Sequence, residues 1–170
     1  MKFEKSNVTA AIATPQEAET AFDDAVKSLI KKRLSISVAE SCTGGLIGKL
    51  LTDVSGSSAV FSGGMITYTN RVKIDKLGVS AETIEKYTEV SAECAAEMAA
   101  RAREYFETDI GISATGFAGP TGGNEKDPVG TVYLGYTTAD ASFVYRLSFG
   151  NATRGEIRYG TAKFAATLLK

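Results

Sequence analysis

The stretch from Leu34 to Leu51 narrows the folds open to this chain more than any other. An alternating apolar run, Leu34-Ser35-Ile36-Ser37-Val38, leads into small polar residues ending in Ser41-Cys42-Thr43. Two glycines, Gly44 and Gly45, follow, and then an apolar segment with helical spacing, Leu46-Ile47-Gly48-Lys49-Leu50-Leu51. That order reads strand, tight turn, helix, and its two apolar faces each require a packed layer. The turn brings a hydroxyl, a thiol and the Glu40 carboxylate to a helix N-terminus, where backbone N–H groups converge and an anion is favoured. The same residues also fit a plainer description, with Ser41 or Thr43 capping the helix and the glycines making the turn.

The rest of the chain extends the pattern. Residues 1–14 read as an N-terminal arm and residues 15–170 as a single domain, a length that supports a sizeable core. Thr14, Pro15 and Glu17 signal a helix start with a capping box, and Ala18, Phe22, Ala25, Val26, Leu29 and Ile30 recur at helical spacing. A strand is expected over 59–68, and a short helix from Asn70 to Leu77 closed by Gly78. Ser80 is expected to cap a further short helix. Ser91 should cap a long alanine-rich helix ending near Phe106, with Cys94, Ala95, Met98, Ala102 and Tyr105 along one face. Residues 109–115 form a strand running into a second glycine-rich loop, Gly116 to Gly123. Two antiparallel strands, 129–138 and 142–149, precede a final helix from about Thr153 to Leu169. Strands interleaved with helices, then a hairpin, imply an α/β fold: a three-layer α/β/α single domain with a mixed β-sheet.

Charge and composition remove several function classes. With 19 basic and 20 acidic residues the formal net charge is -1, which gives no electrostatic footing for nucleic acid. No apolar run approaches the roughly 20 residues that span a bilayer, and the N-terminus lacks the apolar region of a signal peptide. Two cysteines, Cys42 and Cys94, make no disulfide framework, so a cytoplasmic protein is expected. The chain contains no histidine. Triads, Cys-His dyads and histidine metal sites are therefore closed to it, and any base acting near neutral pH must be Lys, Asp, Glu or Tyr, or come from a partner.

Both glycine-rich loops follow apolar strands, so both sit where ligands bind in open α/β sheets, beyond the carboxyl ends of the strands. Neither is a Walker A sequence or a G-x-G-x-x-G turn. A third stretch, Tyr68-Thr69-Asn70-Arg71-Val72-Lys73, supplies a lysine able to act as general base once burial or a neighbouring cation lowers its pKa. Ser41, Lys73 and Tyr68 thus form a candidate nucleophilic set, although from spacing alone such a lysine is more often a solvated surface residue. Cys42 is a rival nucleophile beside the helix start, or a buried packing residue.

The motifs Ala39-Glu40-Ser41-Cys42-Thr43-Gly44-Gly45, Gly56-Ser57-Ser58, Tyr68-Thr69-Asn70-Arg71-Val72-Lys73, Val90-Ser91, Thr115 through Gly123 and Pro128-Val129-Gly130-Thr131-Val132 occur in one order. In this the chain, from about Ala18 onward, resembles the carboxy-terminal domain of the CinA (competence/damage-inducible) family, whose stand-alone members include nicotinamide mononucleotide deamidases. The resemblance implies hydrolysis of nicotinamide mononucleotide to nicotinate mononucleotide and ammonia, with no metal or organic cofactor, by a homo-oligomer. It also implies Ser41 as nucleophile, activated by Lys73 and Tyr68. Backbone N–H groups of Cys42, Thr43, Gly44 and Gly45 are the expected oxyanion donors. Candidate substrate-binding residues are Glu40 and Asn70 from the matching motifs, Thr115, Gly116, Gly119, Gly122 and Gly123 of the second loop, and the basic Arg154 and Arg158. Two alternatives stand beside this: a nucleotide-binding module without turnover, and an amidase for another small carboxamide. Two departures fall near the expected site. Asp127 stands where the family usually has lysine, and one extra residue separates Phe149 from Arg154.

Overall fold

The computed structural model describes residues 2–170. Local signals set many of its elements. Thr14 accepts from the Glu17 N–H and the Glu17 carboxylate returns to the Thr14 N–H, so the expected capping box opens helix α1 (Pro15–Lys32). Its buried stripe is Ala18, Ala21, Phe22, Ala25, Val26 and Leu29; Ile30, expected on that stripe, lies at its exposed rim. Ser91 caps α5 (Ala92–Phe106) through the Cys94 N–H, as expected. Cys94, Ala95, Met98 and Ala102 of its predicted face are buried, whereas Tyr105 has turned out to solvent. A second capping box, Thr153 with Glu156, starts the last helix, α6 (Arg154–Thr167).

Strands β1 (Glu4–Thr9), β2 (Ile36–Glu40), β3 (Phe61–Ile66), β4 (Ile110–Gly116), β5 (Thr131–Thr137) and β6 (Ser142–Ser148) form one mixed sheet in the order β1-β6-β5-β4-β2-β3. β3, β2 and β4 run parallel, and β5 and β6 make the expected antiparallel hairpin. Within residues 1–14, expected as an arm, Glu4–Thr9 is an edge strand paired in parallel with β6, Glu4 opposite Phe143 and Thr9 opposite Ser148. The strand expected over 59–68 is shorter at both ends, because Ser57–Ala59 forms a 3-10 turn and the sheet pairing stops at Ile66. The remaining helices are α2 (Leu46–Thr52), α3 (Asn70–Val72), which opens into a widened π-type turn (Lys73–Leu77), and α4 (Ala81–Tyr87).

Helices α1, α2 and α6 cover one face of the sheet; α5, with the α3 and α4 segments, covers the other. The α5 layer lies close to the strands. A Cβ on Gly111 would strike the Ala99 carbonyl and one on Gly135 the Ala95 carbonyl, while Ser113 Oγ donates to the Ala95 carbonyl at 2.6 Å. Small residues on both partners bring the backbones together. On β2, Ile36 and Val38 point to the α1/α2/α6 core and Ala39 to the α5 side. This period-two alternation carries on into the next two residues and fixes the site.

Candidate active site

Beyond Ala39, Glu40 turns toward α2 and Ser41 toward α5. The buried Glu40 carboxylate accepts three backbone N–H groups, from Gly45 at 2.9 Å, Ile47 at 3.1 Å and Gly48 at 2.8 Å. The start of α2 is therefore filled by a protein carboxylate. Neither Ser41 nor Thr43 caps it, and Glu40, expected at the substrate, is instead the cap. The oxyanion expectation narrows for the same reason. The Gly45 N–H belongs to Glu40 and the Gly44 N–H to the Ser41 carbonyl at 3.1 Å. Among the described residues only Cys42 and Thr43 of that set keep an N–H with no protein acceptor. Gly44 and Gly45 serve the turn through left-handed backbone, with φ of 59° and 91°.

Ser41 is anchored by its own N–H, which donates to the Ala114 carbonyl of β4 at 2.9 Å. Lys73 arrives from the opposite side. Thr69 caps α3, and the π-type turn then carries the lysine inward until its side chain is completely buried. Its Nζ donates to the Thr67 carbonyl at 2.7 Å and lies 3.1 Å from Ser41 Oγ. No carboxylate comes within ion-pair distance of it among the described residues. Burial holds the Lys73 amine below the usual lysine range; the neighbouring Cys94, Glu89 and Cys42 oppose this only in part. Burial also pushes both thiols up to about 12, so they are uncharged at neutral pH and Cys42 is no thiolate. In its uncharged form, an amine 3.1 Å from a serine hydroxyl is able to take that hydroxyl's proton.

Ser41 opens onto a cavity of about 190 Å³ whose wall also includes Cys42, Tyr68, Glu89, Thr115, Gly116, Phe117 and Arg154. The Tyr68 side chain is 59% exposed, and its hydroxyl accepts from Arg154 Nη2 at 3.3 Å; it is bonded to neither Ser41 nor Lys73. Arg154 Nη1 donates to the Gly119 carbonyl at 2.7 Å, so one guanidinium ties the β3 exit to the second glycine-rich loop. Arg158 stays out of the cavity wall: Nε and Nη2 both hold the Thr43 carbonyl, at 3.2 and 2.6 Å, bracing the turn from behind. The buried Thr43 hydroxyl has no partner. Asn70, Gly122 and Gly123 lie away from the cavity, and Gly119 meets it through Arg154. A larger cavity, about 440 Å³ between α4 and α5, has no lining hydroxyl hydrogen-bonded to a basic group among the described residues.

The family model of the CinA C-terminal domain matches residues 18–170. The chain belongs to that family. It is 44% identical over 161 residues to a CinA-like protein of Geotalea daltonii, covering 94% of this chain and 38% of that one. It is 49% identical over 129 residues to a CinA-like protein of Dictyoglomus thermophilum, covering 75% and 31%. The chain thus spans about a third of the length of these curated relatives. The crystal structure of a competence/damage inducible protein from Agrobacterium tumefaciens superimposes with a TM-score of 0.88 at 37% identity, covering 92% of this chain and 96% of that one. Among the described residues no helix is long and apolar enough to cross a membrane.

Both departures from the CinA pattern have a structural account. Asp127 is buried away from the cavity, where Oδ1 accepts from Tyr133 Oη and Arg146 Nε, each at 2.9 Å. Arg146 also reaches the Lys126 carbonyl, so an acidic residue here pins the second loop to β5 and β6. The extra residue before Arg154 sits in an exposed turn at Gly150-Asn151, and Arg154 still reaches Gly119 and Tyr68. The sequence reading overlooked two contributors: the Thr67 carbonyl, which orients Lys73, and Glu89 in the cavity wall. Glu89 directly precedes the quoted Val90-Ser91 motif, and that position was the available signal.

Proposed function

We propose that this CinA-type domain is an amidohydrolase that hydrolyses nicotinamide mononucleotide to nicotinate mononucleotide and ammonia. One observation carries the reading: a fully buried lysine without a carboxylate partner lies 3.1 Å from a serine hydroxyl at the edge of a cavity. Lys73, in its uncharged form, takes the Ser41 proton as Oγ attacks the carboxamide carbon. The resulting oxyanion is met by the N–H groups of Cys42 and Thr43, a contribution of roughly 3 kcal/mol in comparable sites. Lys73 returns the proton to the leaving nitrogen, the C–N bond breaks, and ammonia departs from a nicotinoyl-serine ester. Water then attacks that ester, Lys73 takes its proton and gives it back to Ser41, and nicotinate mononucleotide is released. Tyr68 acts on the substrate side of Ser41, together with Arg154.

The cavity volume supports a division of the substrate. About 190 Å³ falls below the roughly 300–1,000 Å³ of sites for larger ligands, which suits the ring and its carboxamide with the ribose phosphate reaching outward past Arg154. Ammonia release from nicotinamide mononucleotide tests the reaction, and Ser41→Ala tests the nucleophile. The expected outcome is steady release by the native protein and background release by the variant; equal rates in the two would remove Ser41 from the mechanism. The same chemistry fits other small carboxamides, so a panel lacking ribose or phosphate sets the substrate range.

A further inference from the structure

The cavity beside Ser41 holds two opposite charges that do not neutralise one another. Arg154 and Glu89 both line it, yet no ion pair joins them among the described residues. Arg154 Nη1 and Nη2 donate to the Gly119 carbonyl and the Tyr68 hydroxyl. The partly exposed Glu89 carboxylate has neither a hydrogen-bond nor an ion-pair partner among the described residues. Its backbone is fixed all the same, since Thr115 Oγ1 donates to the Glu89 carbonyl at 2.7 Å and locks residue 89 against β4. A glutamate that lines a small cavity, with its backbone anchored, its carboxylate unpaired and its charge felt at Lys73, favours a cation or a hydrogen-bond donor and repels an anion.

We infer that Glu89 is a specificity-determining residue that selects a ligand with a cationic, carboxamide-bearing ring and an anionic tail, and disfavours the carboxylate product. The inference rests on the amidase reading and adds to it the charge pattern of the ligand. A pyridinium carboxamide places its positive ring and amide N–H donors toward Glu89, with its phosphate on the Arg154 side. Hydrolysis exchanges the amide for a carboxylate, which meets Glu89 as a like charge and is expelled. Selectivity here comes from a repulsive contact with the product as much as from an attractive one with the substrate.

Binding measured by calorimetry on the Ser41→Ala protein separates this from turnover. The ligands are nicotinamide mononucleotide, its reduced form with an uncharged ring, and nicotinate mononucleotide. The expected order puts the first about tenfold ahead of each of the others. Adding Glu89→Gln should bring both ratios close to one, and Glu89→Asp should preserve them, with thermal melts showing both variants folded. Ratios unmoved by Glu89→Gln, or no binding of any of the three to the Ser41→Ala protein, would overturn the inference. Ammonia release by the native protein is scored separately. Release with unmoved ratios overturns the role of Glu89 alone, and altered ratios without release overturn the amidase reading while the charge selection stands.

Discussion

The proposed chemistry is concentrated in one side chain, Lys73. Because it is fully buried, Lys73→Ala would leave a cavity costing roughly 2–5 kcal/mol, which confuses loss of base with loss of fold. Lys73→Met keeps the length and flexibility of the stem, so it should cut kcat about 10²–10⁴-fold with folding intact. The pH dependence has a definite sign. In the folded state the amine sits below the ordinary lysine value of about 10.4, so between the two values the unfolded chain binds a proton that the native one lacks. Stability contributed by this site therefore rises with pH through that window and is lost below it. Lys73→Met should flatten the curve, which urea midpoints at pH 7 and 9.5 would register; equal slopes in both proteins would refute the lowered pKa. In the native protein, kcat should climb with pH along the same titration. In the sequence this lysine stood out only through the Tyr68-to-Lys73 stretch and the resemblance that stretch carries, since spacing alone favoured a surface residue. Its burial was not legible, since that depends on how the π-type turn lies against α5 and β2, contacts distant in sequence.

At the scale of elements, the site is a turn clamped from two sides. Glu40 holds the start of α2 through three N–H groups, and Arg158 holds the Thr43 carbonyl. In Glu40→Gln a neutral amide with one acceptor oxygen replaces a carboxylate with two. The expected cost is about 1–3 kcal/mol, with a fall in kcat as Ser41 loses its fixed position. Denaturation together with steady-state rates would test this; full stability with unchanged kcat would show that the clamp is not needed. The second loop rests on the Asp127–Arg146–Tyr133 cluster. Asp127→Ala should cost about 2–3 kcal/mol, less than a fully buried pair because Arg146 keeps some contact with solvent, and should raise KM more than it lowers kcat. Capping boxes at Thr14 and Thr153 are local patterns that the sequence displays, although only the first was expected. Glu40 is different. It lies five residues ahead of its first donor, outside any standard capping position, so only the folded turn reveals it. Tyr68, expected with Lys73 to activate Ser41, is hydrogen-bonded to neither of them and accepts from Arg154 instead.

Across the whole molecule, the site and the N-terminal strand lie at separate parts of the sheet. β1 pairs only with β6, whereas Ser41 leaves β2, between β4 and β3. A variant lacking residues 1–10 should keep its kcat and melt at lower temperature, with β6 exposed as a new edge prone to pairing. Thermal melts, size-exclusion profiles and ammonia release would check this, and loss of turnover in a folded, unaggregated variant would contradict it. β1 escaped notice because Glu4-Lys5-Ser6-Asn7-Val8-Thr9 has no apolar alternation; backbone pairing with β6 makes the strand, and its side chains mostly face water.

The alternation along β2 has a last consequence. Support and reaction are assigned to adjacent residues on opposite faces of one strand, with nothing between them to absorb an error. Deleting a single residue within Ile36–Ala39 would exchange the faces, sending the carboxylate toward the lysine and the hydroxyl toward the helix start. A buried Glu40 against Lys73 would form an ion pair and raise the amine's proton affinity, so the base would be silenced rather than merely displaced. Insertions and deletions should therefore be far more damaging in this five-residue strand than conservative substitutions at the same positions. A library of single-residue indels would map the site as a sharp trough over Ile36–Thr43, bounded by tolerant loops.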